Sequence, residues 1–454
     1  MDNRNHLLSK RVFETSNNSD YHEASYKGEI TGKMVAPSKI DQGMPFRSSF
    51  VPKRDKNHGP ENKYLNFDIF DDDNKSGNTS QFSAVQYNEQ NGNYSNFELR
   101  TNDLLNKSDP GSLVASMYND YTVFLMDNLM NLTKDVTSVS YNICFILANL
   151  YSVASGDTET LLKNYLKVPN KQILGAGLVE TLTEINKSQC CDFMNLIIVD
   201  SKYGITDRNS MVSRELIYKL NSSTNVDNEA RIINNMIKNT FGTNNIIKPS
   251  YLENFDTICL SVGLIRTIWG QNMIVKHGMK FYTNPMAFRE VDFLYTQNAV
   301  FKYFESESVQ AIETMLYDNQ MCFGLILSRD FTVPKISAVD MEIYVSNMKT
   351  AELSEVFVPK FVHTTKTRFN SILKKTGMAN LFTNLELSDV LDSTSSLSDF
   401  IQNLTVVVDE KVILNNKKYS SKNKISRKFI ANKPFIYYFR CSVTNTIVVV
   451  GQYF

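Results

Sequence analysis

The chain contains one tryptophan, five histidines and no net charge, since 48 basic residues balance 48 acidic ones. A balanced surface creates no global field to draw in nucleic acid or an anionic membrane, so no specific nucleic-acid partner is expected. Three of the five histidines, His6, His22 and His58, lie near the N-terminus, far from His277 and His363. That scatter argues against a histidine-centred catalytic site. The six cysteines, Cys144, Cys190, Cys191, Cys259, Cys322 and Cys441, include no Cys-x-x-Cys pair and have no histidine nearby. They therefore read as free buried thiols of a reducing compartment rather than as metal ligands. No apolar run reaches the roughly 18 residues that a membrane span requires. The longest candidate, 141–151, is broken by Asn142 and Asn149. A Gly-rich phosphate loop, a Gly-x-Ser-x-Gly elbow and a His-Glu-x-x-His motif are all absent, so the chain does not read as an enzyme and no cofactor or metal is expected. The N-terminus lacks the apolar core of a signal peptide, which gives a cytoplasmic location as the expectation.

Two regions differ in composition. Residues 1–110 are rich in Asn, Asp, Ser, Lys and Gly, with isolated apolar residues, and are expected to form a largely disordered extension. Their apolar cluster, 67–70 within LNFDIFDDD, reads either as a short docking motif or as a random patch in a tail. Residues 111–454 carry no low-complexity break and amount to about 340 residues, the size of one large domain. With 42% apolar residues the chain can bury a sizeable core. An amphipathic helix is predicted from Ser112, with Leu113, Met117, Tyr121, Phe124 or Leu125, and Leu129 on one face. Helical patterns dominate to about residue 185. Strands are predicted after that at 193–199, 258–267, 299–304, 321–327, 355–363 and 404–408. This segregated order specifies an α+β fold and argues against a doubly wound nucleotide fold.

The last 26 residues, FIANKPFIYYFRCSVTNTIVVVGQYF, hold two aromatic and β-branched runs around a turn cluster at 442–445. They predict a hairpin, and because neither run alternates with polar residues, one buried on both faces. Phe429, Pro434, Phe435, Tyr437, Thr444, Thr446, Ile447 and Gly451 meet without a gap the closing pattern of the serpins, which this stretch resembles. Other segments add to the resemblance in the family's order. Ala154, Gly156 and Thr158 resemble a turn between two early helices, in which Gly156 would stop one helix and Thr158 cap the next. Asn234, Thr240 and Gly242 resemble the helix lying across the main sheet. Trp269 resembles the tryptophan at the top of that sheet. Pro359, Lys360 and Phe361, then Phe369, Leu373, Gly377, Met378, Leu381 and Phe382, resemble the strand and helix that precede the reactive loop.

The resemblance implies a serpin domain over 111–454, with three β-sheets, eight or nine helices and an exposed reactive-centre loop at 410–429. In inhibitory members a protease cuts this loop, whose N-terminal half then inserts into the main sheet and traps the acylated enzyme. Insertion requires a flexible hinge and small alternate side chains. Here Glu410 and Lys411 match the approach, but Val412 stands where the family has glycine, and Ile413, Asn415 and Lys417 follow in place of small residues. A buried, unpaired Lys417 would cost several kcal/mol. Counting from either end of the loop leaves Lys422, Asn423, Lys424, Ser426 and Arg427 as candidates for the scissile position, and a trypsin-like protease as the natural partner. A polar cluster beneath the sheet opening, which in the family links two serines, an asparagine and a histidine, aligns with Val139, Asn142, Ser261 and Gln402, with Asn142 expected to face Ser261.

Two functions follow from the resemblance. One is inhibition of a serine-type endopeptidase, by a mechanism that this hinge makes doubtful. The alternative is a non-inhibitory binding protein whose basic loop, with Lys417, Lys418, Lys422, Lys424, Arg427 and Lys428, engages an anionic partner. A monomer is expected, and family analogy also allows an extracellular site of action. The abundance of Asn and Lys suggests an AT-rich source such as a large DNA virus.

Overall fold

A computed structural model describes residues 66–69, 109–132, 138–206, 216–221, 225–243, 245–413 and 424–454, with the backbone alone at 66–69, 131–132 and 424–426. The expectations for the rest of 1–110 and for 414–423 lie outside the described residues.

The predicted first helix is α1 (Pro110–Leu132), and Leu113, Met117, Tyr121, Leu125 and Leu129 are its buried stripe. Phe124 is exposed, which resolves the choice left open between it and Leu125. After the short strand β2 (Ser138–Ser140) comes α2 (Asn142–Val153), buried at every residue except Ser152. A helix apolar all round belongs inside a domain. Its polar residue Asn149 is accommodated by donating to the Phe145 carbonyl at 2.7 Å. The helices α3 (Gly156–Leu166) and α4 (Lys171–Ile185) follow. Gly156, with φ +56°, opens α3 rather than closing α2 alone, and a Cβ there would collide with Glu386. Thr158 does not cap α3 as expected. Its hydroxyl donates to Asn384 O and accepts from Glu386 N, while the Glu386 carboxylate accepts the Asp157 N–H at 3.1 Å. An anion on a neighbouring segment has taken over the cap.

The described strands join into two hydrogen-bonded networks. The first runs β1 (Asn66–Ile69), β11 (Phe361–Arg368), β12 (Leu397–Val408), β5 (Thr257–Arg266), β3 (Cys191–Asp200), β4 (Ile217–Leu220). The second runs β13 (Lys424–Ile430), β10 (Lys349–Pro359), β7 (Ala287–Glu305), β8 (Val309–Met315), β9 (Met321–Ser328), β14 (Phe435–Cys441), β15 (Ile447–Tyr453), β2, with β6 (Ile274–Asn284) also on β7. Two of the three expected sheets share β7. One edge of this 19-residue strand pairs with β10, and the other takes β6 and then β8. Seven α-helices occur among the described residues, against the eight or nine expected. They include α5 (Val226–Phe241), α6 (Ala338–Asn347) and the four-residue α7 (Asn370–Leu373).

The C-terminal hairpin is central, as its pattern requires. All seven residues of β14 and all seven of β15 are buried, and β14 lies between β9 and β15. Helix α5 lies across the first sheet, packing Ala230, Ile233 and Ile237 onto Ile198, Ile258, Leu260, Val262 and Ile401. Asn234, midway along it, anchors the segment that follows the helix, accepting from Ile246 N and Ile247 N and donating to Ile247 O at 2.7 Å.

One charged group in the core escaped the sequence reading. Arg440 on β14 and Glu313 on β8 are both almost fully buried, joined by Nε–Oε2 at 3.0 Å and Nη2–Oε1 at 2.7 Å, with the Tyr438 hydroxyl donating to Glu313 at 3.1 Å. Burial alone would raise the Glu313 carboxyl, but the bonds and charge of Arg440 outweigh it and hold the group below the ordinary glutamate value. Because that value is depressed on folding, its stabilising contribution is complete above the unfolded value and fades as the pH falls through the folded one. Arg440→Met leaves the buried Glu313 carboxylate to the Tyr438 hydroxyl and to the half-exposed Lys302 at 3.5 Å, and is expected to cost about 3 kcal/mol, read from the denaturation midpoint. The double variant Glu313→Leu with Arg440→Met is expected to recover most of that loss.

Candidate functional site

Strands β5 and β12 lie parallel at the middle of the first sheet, in register over ten residue pairs from Leu397↔Thr257 to Val407↔Arg266. Among the described strands of this sheet, the β5–β12 seam is the one parallel pair in which both strands reach ten residues. A polar cluster sits directly beneath it. Gln402 of β12, paired in register with Ser261, reaches down to β2: its Oε1 accepts from Ser140 N and Ser140 Oγ, both at 3.0 Å, and its Nε2 donates to Ser138 O at 3.0 Å. One side chain thus ties the seam to an element of the second sheet. The cluster extends from Ser138 Oγ to Thr365 Oγ1 at 3.2 Å and on to His363 Nε2 at 3.2 Å.

Gln402 and Asn142 are therefore brought together as the alignment implies, both around Ser140. The expected Asn142–Ser261 pair does not form. Asn142 instead donates to Ser140 Oγ at 3.4 Å and accepts from Asn195 Nδ2 at 2.8 Å. Asn195 lies on β3 in register with Ser261, so the long amide reaches Asn142 from one strand further over. Ser261 is left with a buried hydroxyl that has no partner among the described residues. The serines that serve the cluster are Ser138 and Ser140, which flank the aligned Val139. Alternation along β2 explains the slip, because a register error of one residue reverses the face. His363 entered the cluster unnoticed, since it comes from β11 rather than from β12, where the family places its histidine.

At the top of the seam the chain leaving β12 is laid against Trp269. The indole Nε1 donates to Asp409 O at 2.6 Å, Trp269 N donates to Lys411 O at 2.8 Å, and Ile413 N donates to Trp269 O at 3.0 Å. Val412 makes a parallel bridge to Trp269, and Val412 and Ile413 pack partly buried against the core. Trp269 itself is buried, edge-on to Phe323. Glu410 is held by Lys360 at 2.6 Å. Burial would raise the Glu410 carboxyl, yet the hydrogen bond and charge of Lys360 bring it below the ordinary value. Burial lifts the neighbouring Asp409 carboxyl instead. The hinge residues Glu410, Lys411, Val412 and Ile413 thus form a short latch across the mouth of the seam. Asn415 and Lys417 lie outside the described residues.

Of the scissile-bond candidates, Lys422 and Asn423 lie outside the described residues, whereas Lys424, Ser426 and Arg427 fall on β13 rather than on a loop. That strand forms the edge of the second network, parallel to β10, with Lys424↔Glu352 and Lys428↔Glu355 in register. Between them Ser426 and Arg427 oppose the single residue Ser354, a β-bulge, and the Ser354 hydroxyl donates to Arg427 O at 2.9 Å. Arg427 is ion-paired with Glu305, and Lys428 with Glu355. No helix among the described residues is long and apolar enough to cross a membrane.

Residues 117–454 match the sequence profile of the family described as Serpin (serine protease inhibitor). A serpin-like protein of Acanthamoeba polyphaga mimivirus is 24% identical over 344 residues, which covers 69% of this chain and 82% of that protein. Among solved structures, maspin aligns with a TM-score of 0.67 at 17% identity, covering 76% of this chain and 99% of maspin. Uncleaved ovalbumin aligns at 0.64, also with 17% identity and the same shares.

Two substitutions separate the roles of the seam residues. Gln402→Leu leaves Ser138 O and Ser140 N buried without partners and is expected to lower stability by at least about 1–3 kcal/mol. Ser261→Ala removes a hydroxyl that already lacks a partner, and its denaturation midpoint is expected to stay level or rise.

Proposed function

The chain belongs to the serpin family, and we propose that it presents the segment between Ile413 and Lys424 to a trypsin-like serine protease and is cut there without trapping the enzyme. The observation that carries this reading is the latch at Trp269. Insertion of a cut loop must part ten register pairs of the seam, starting at its mouth. At that mouth the backbone of 409–413 is bonded to Trp269, and the side chains of Val412 and Ile413 are β-branched and already packed. A glycine hinge would swing freely, but two β-branched residues in sequence resist the change of direction. Beyond them, alternation from Ile413 would carry Asn415 and Lys417 to the inner face, where an ammonium without a partner costs several kcal/mol.

The ladder of β13 supports one part of the candidate set over the other. A protease takes its substrate as an extended strand of its own, so bonds inside β13 compete with the ladder to β10. Lys422 or Asn423 is the scissile residue on this reading, with Lys422 the better match to a trypsin-like pocket. The alternative, a basic surface for an anionic partner, is weakened because Arg427 and Lys428 are already neutralised by Glu305 and Glu355. A reducing site of action fits the cysteines: all six are buried and free, and burial pushes the thiols of Cys144, Cys190, Cys191, Cys259 and Cys322 up, away from the reactive thiolate form.

Incubation with trypsin, read by denaturing gel and mass spectrometry, is expected to give cleavage between Ile413 and Lys424 with no SDS-resistant adduct. The cut protein is expected to melt at the temperature of the intact one, because no strand has been added. A stoichiometric adduct, or a large rise in melting temperature after cleavage, would sink this reading. The variant Val412→Gly with Lys417→Ala is expected to move the protein toward adduct formation.

A further inference from the structure

The outer edge of the first sheet is not bare. Strand β11 pairs on one side with β12 and on the other, in parallel, with β1, a four-residue piece of the N-terminal extension. The register is Asn66↔Thr364, Phe67↔Thr365, Asp68↔Lys366 and Ile69↔Thr367. We propose that residues 66–69 are an intramolecular edge cap, which seals β11 against strand addition by a second copy of this chain.

Three independent features carry the proposal. The first is the sequence: LNFDI alternates apolar and polar residues over five positions, the period of a half-covered strand, in a region otherwise without apolar periodicity. The second is the register. In-register neighbours of a pleated sheet share a face, so Phe67 and Ile69 take positions on the face of Thr365 and Thr367, both buried, and Asp68 takes a position beside Lys366, its opposite in charge. A slip of one residue would exchange the two sets.

The third is the character of β11 itself. Proteins commonly guard an edge strand with an exposed lysine or a proline. Residues 361–368 contain no proline, and Lys366 is only 9% exposed, with its ammonium 3.4 Å from Asn245 O and over the Tyr251 ring. The strand therefore has no proline, its lysine is engaged with Asn245 and Tyr251, and the chain's own segment lies along its outer edge. Covalent attachment favours the chain's own strand over a second copy, because it makes the pairing intramolecular at an effective concentration of roughly millimolar.

Hydrogen exchange on the full chain tests this directly. At low protein concentration the amides of 66–69 are expected to exchange about tenfold or more slowly than in the free peptide. Phe67→Pro, which removes a backbone donor from the strand and fixes φ at about −65°, away from the extended strand value, is expected to abolish that protection, expose the edge of β11 and produce concentration-dependent self-association by light scattering. Free-peptide exchange rates at 66–69 in the wild type overturn the proposal. So does protection that appears only as concentration rises, since the strand then comes from a second copy. A Phe67→Pro chain that loses protection yet stays monomeric overturns the sealing role. Melting temperature serves as the check on folding, and Phe67→Ser provides a second variant that keeps the N–H but removes the apolar residue.

Discussion

The parallel pairing of β12 with β5 is the constraint on which the rest of the molecule depends. Parallel strands cannot be joined by a tight turn, so the two must be delivered to each other by separate stretches of chain. Here β5 arrives after α5, and β12 arrives after β11 and the short helices that follow it. The pairing is covered on both faces, by α5 on one side and by α2 with β2 on the other, which accounts for strands that are buried along most of their length. Gln402 carries one of the polar groups of that interior. A polar side chain in the middle of such a strand must find partners, and it finds three in β2. Through them the position of the seam is fixed relative to the C-terminal hairpin, since β2 pairs with β15.

The second sheet supplies the frame against which the seam is held. Its middle is β9, β14 and β15, where aromatic and β-branched residues fill both faces. Close approach is permitted by Gly324, where a Cβ would collide with Tyr438. The Glu313–Arg440 pair lies in the same layer. Desolvating two such charges is costly, and an apolar pair of like volume would hold the strands together as well. What the ions add is register, because a shift of β14 against β9, and so against β8 beyond it, would separate the guanidinium from its carboxylate. A rigid frame matters to a fold whose other sheet has a seam, since strain can be confined to the seam only if the surroundings do not yield.

Most of the architecture was legible because its signals are local. The C-terminal hairpin, α1, α2 and the long strands each carry a period or an apolar run that packing did not override. Boundaries were lost where a single residue turns the chain: 355–363 reads as one strand, but β10 ends at Pro359, Lys360 N bonds to Asp292 O, and β11 starts at Phe361. The β6–β7 hairpin and β8 escaped because charged residues interrupt their pattern, and cross-strand partners rather than a core cover those charges. The polar cluster was half legible. Gln402 and Asn142 follow from alignment along the chain, whereas Asn195, His363 and the vacant hydroxyl of Ser261 depend on which strands are neighbours. That fact is non-local, and spacing along the sequence does not encode it.

Whether a serpin works as a spring depends on the balance between seam and hinge, and the two point in different directions in this chain. The seam has a built-in weakness: Ser261 carries a hydroxyl with no partner among the described residues, at the level of Gln402, and a buried hydroxyl without a bond costs about 1–3 kcal/mol. Opening the seam would let water reach that group, so the closed sheet is stabilised by less than its ten register pairs suggest. The hinge acts the other way. It is tied at three backbone atoms to Trp269, and Val412 and Ile413 take up space that a turning chain would need. Under the proposed reading, a weak seam behind a stiff hinge suits a molecule that tolerates a cut in the loop without being driven to rearrange. On the reading proposed above, a strand entering the gap would have to begin at Val412, and the β-branched Val412 and Ile413 make that passage costly.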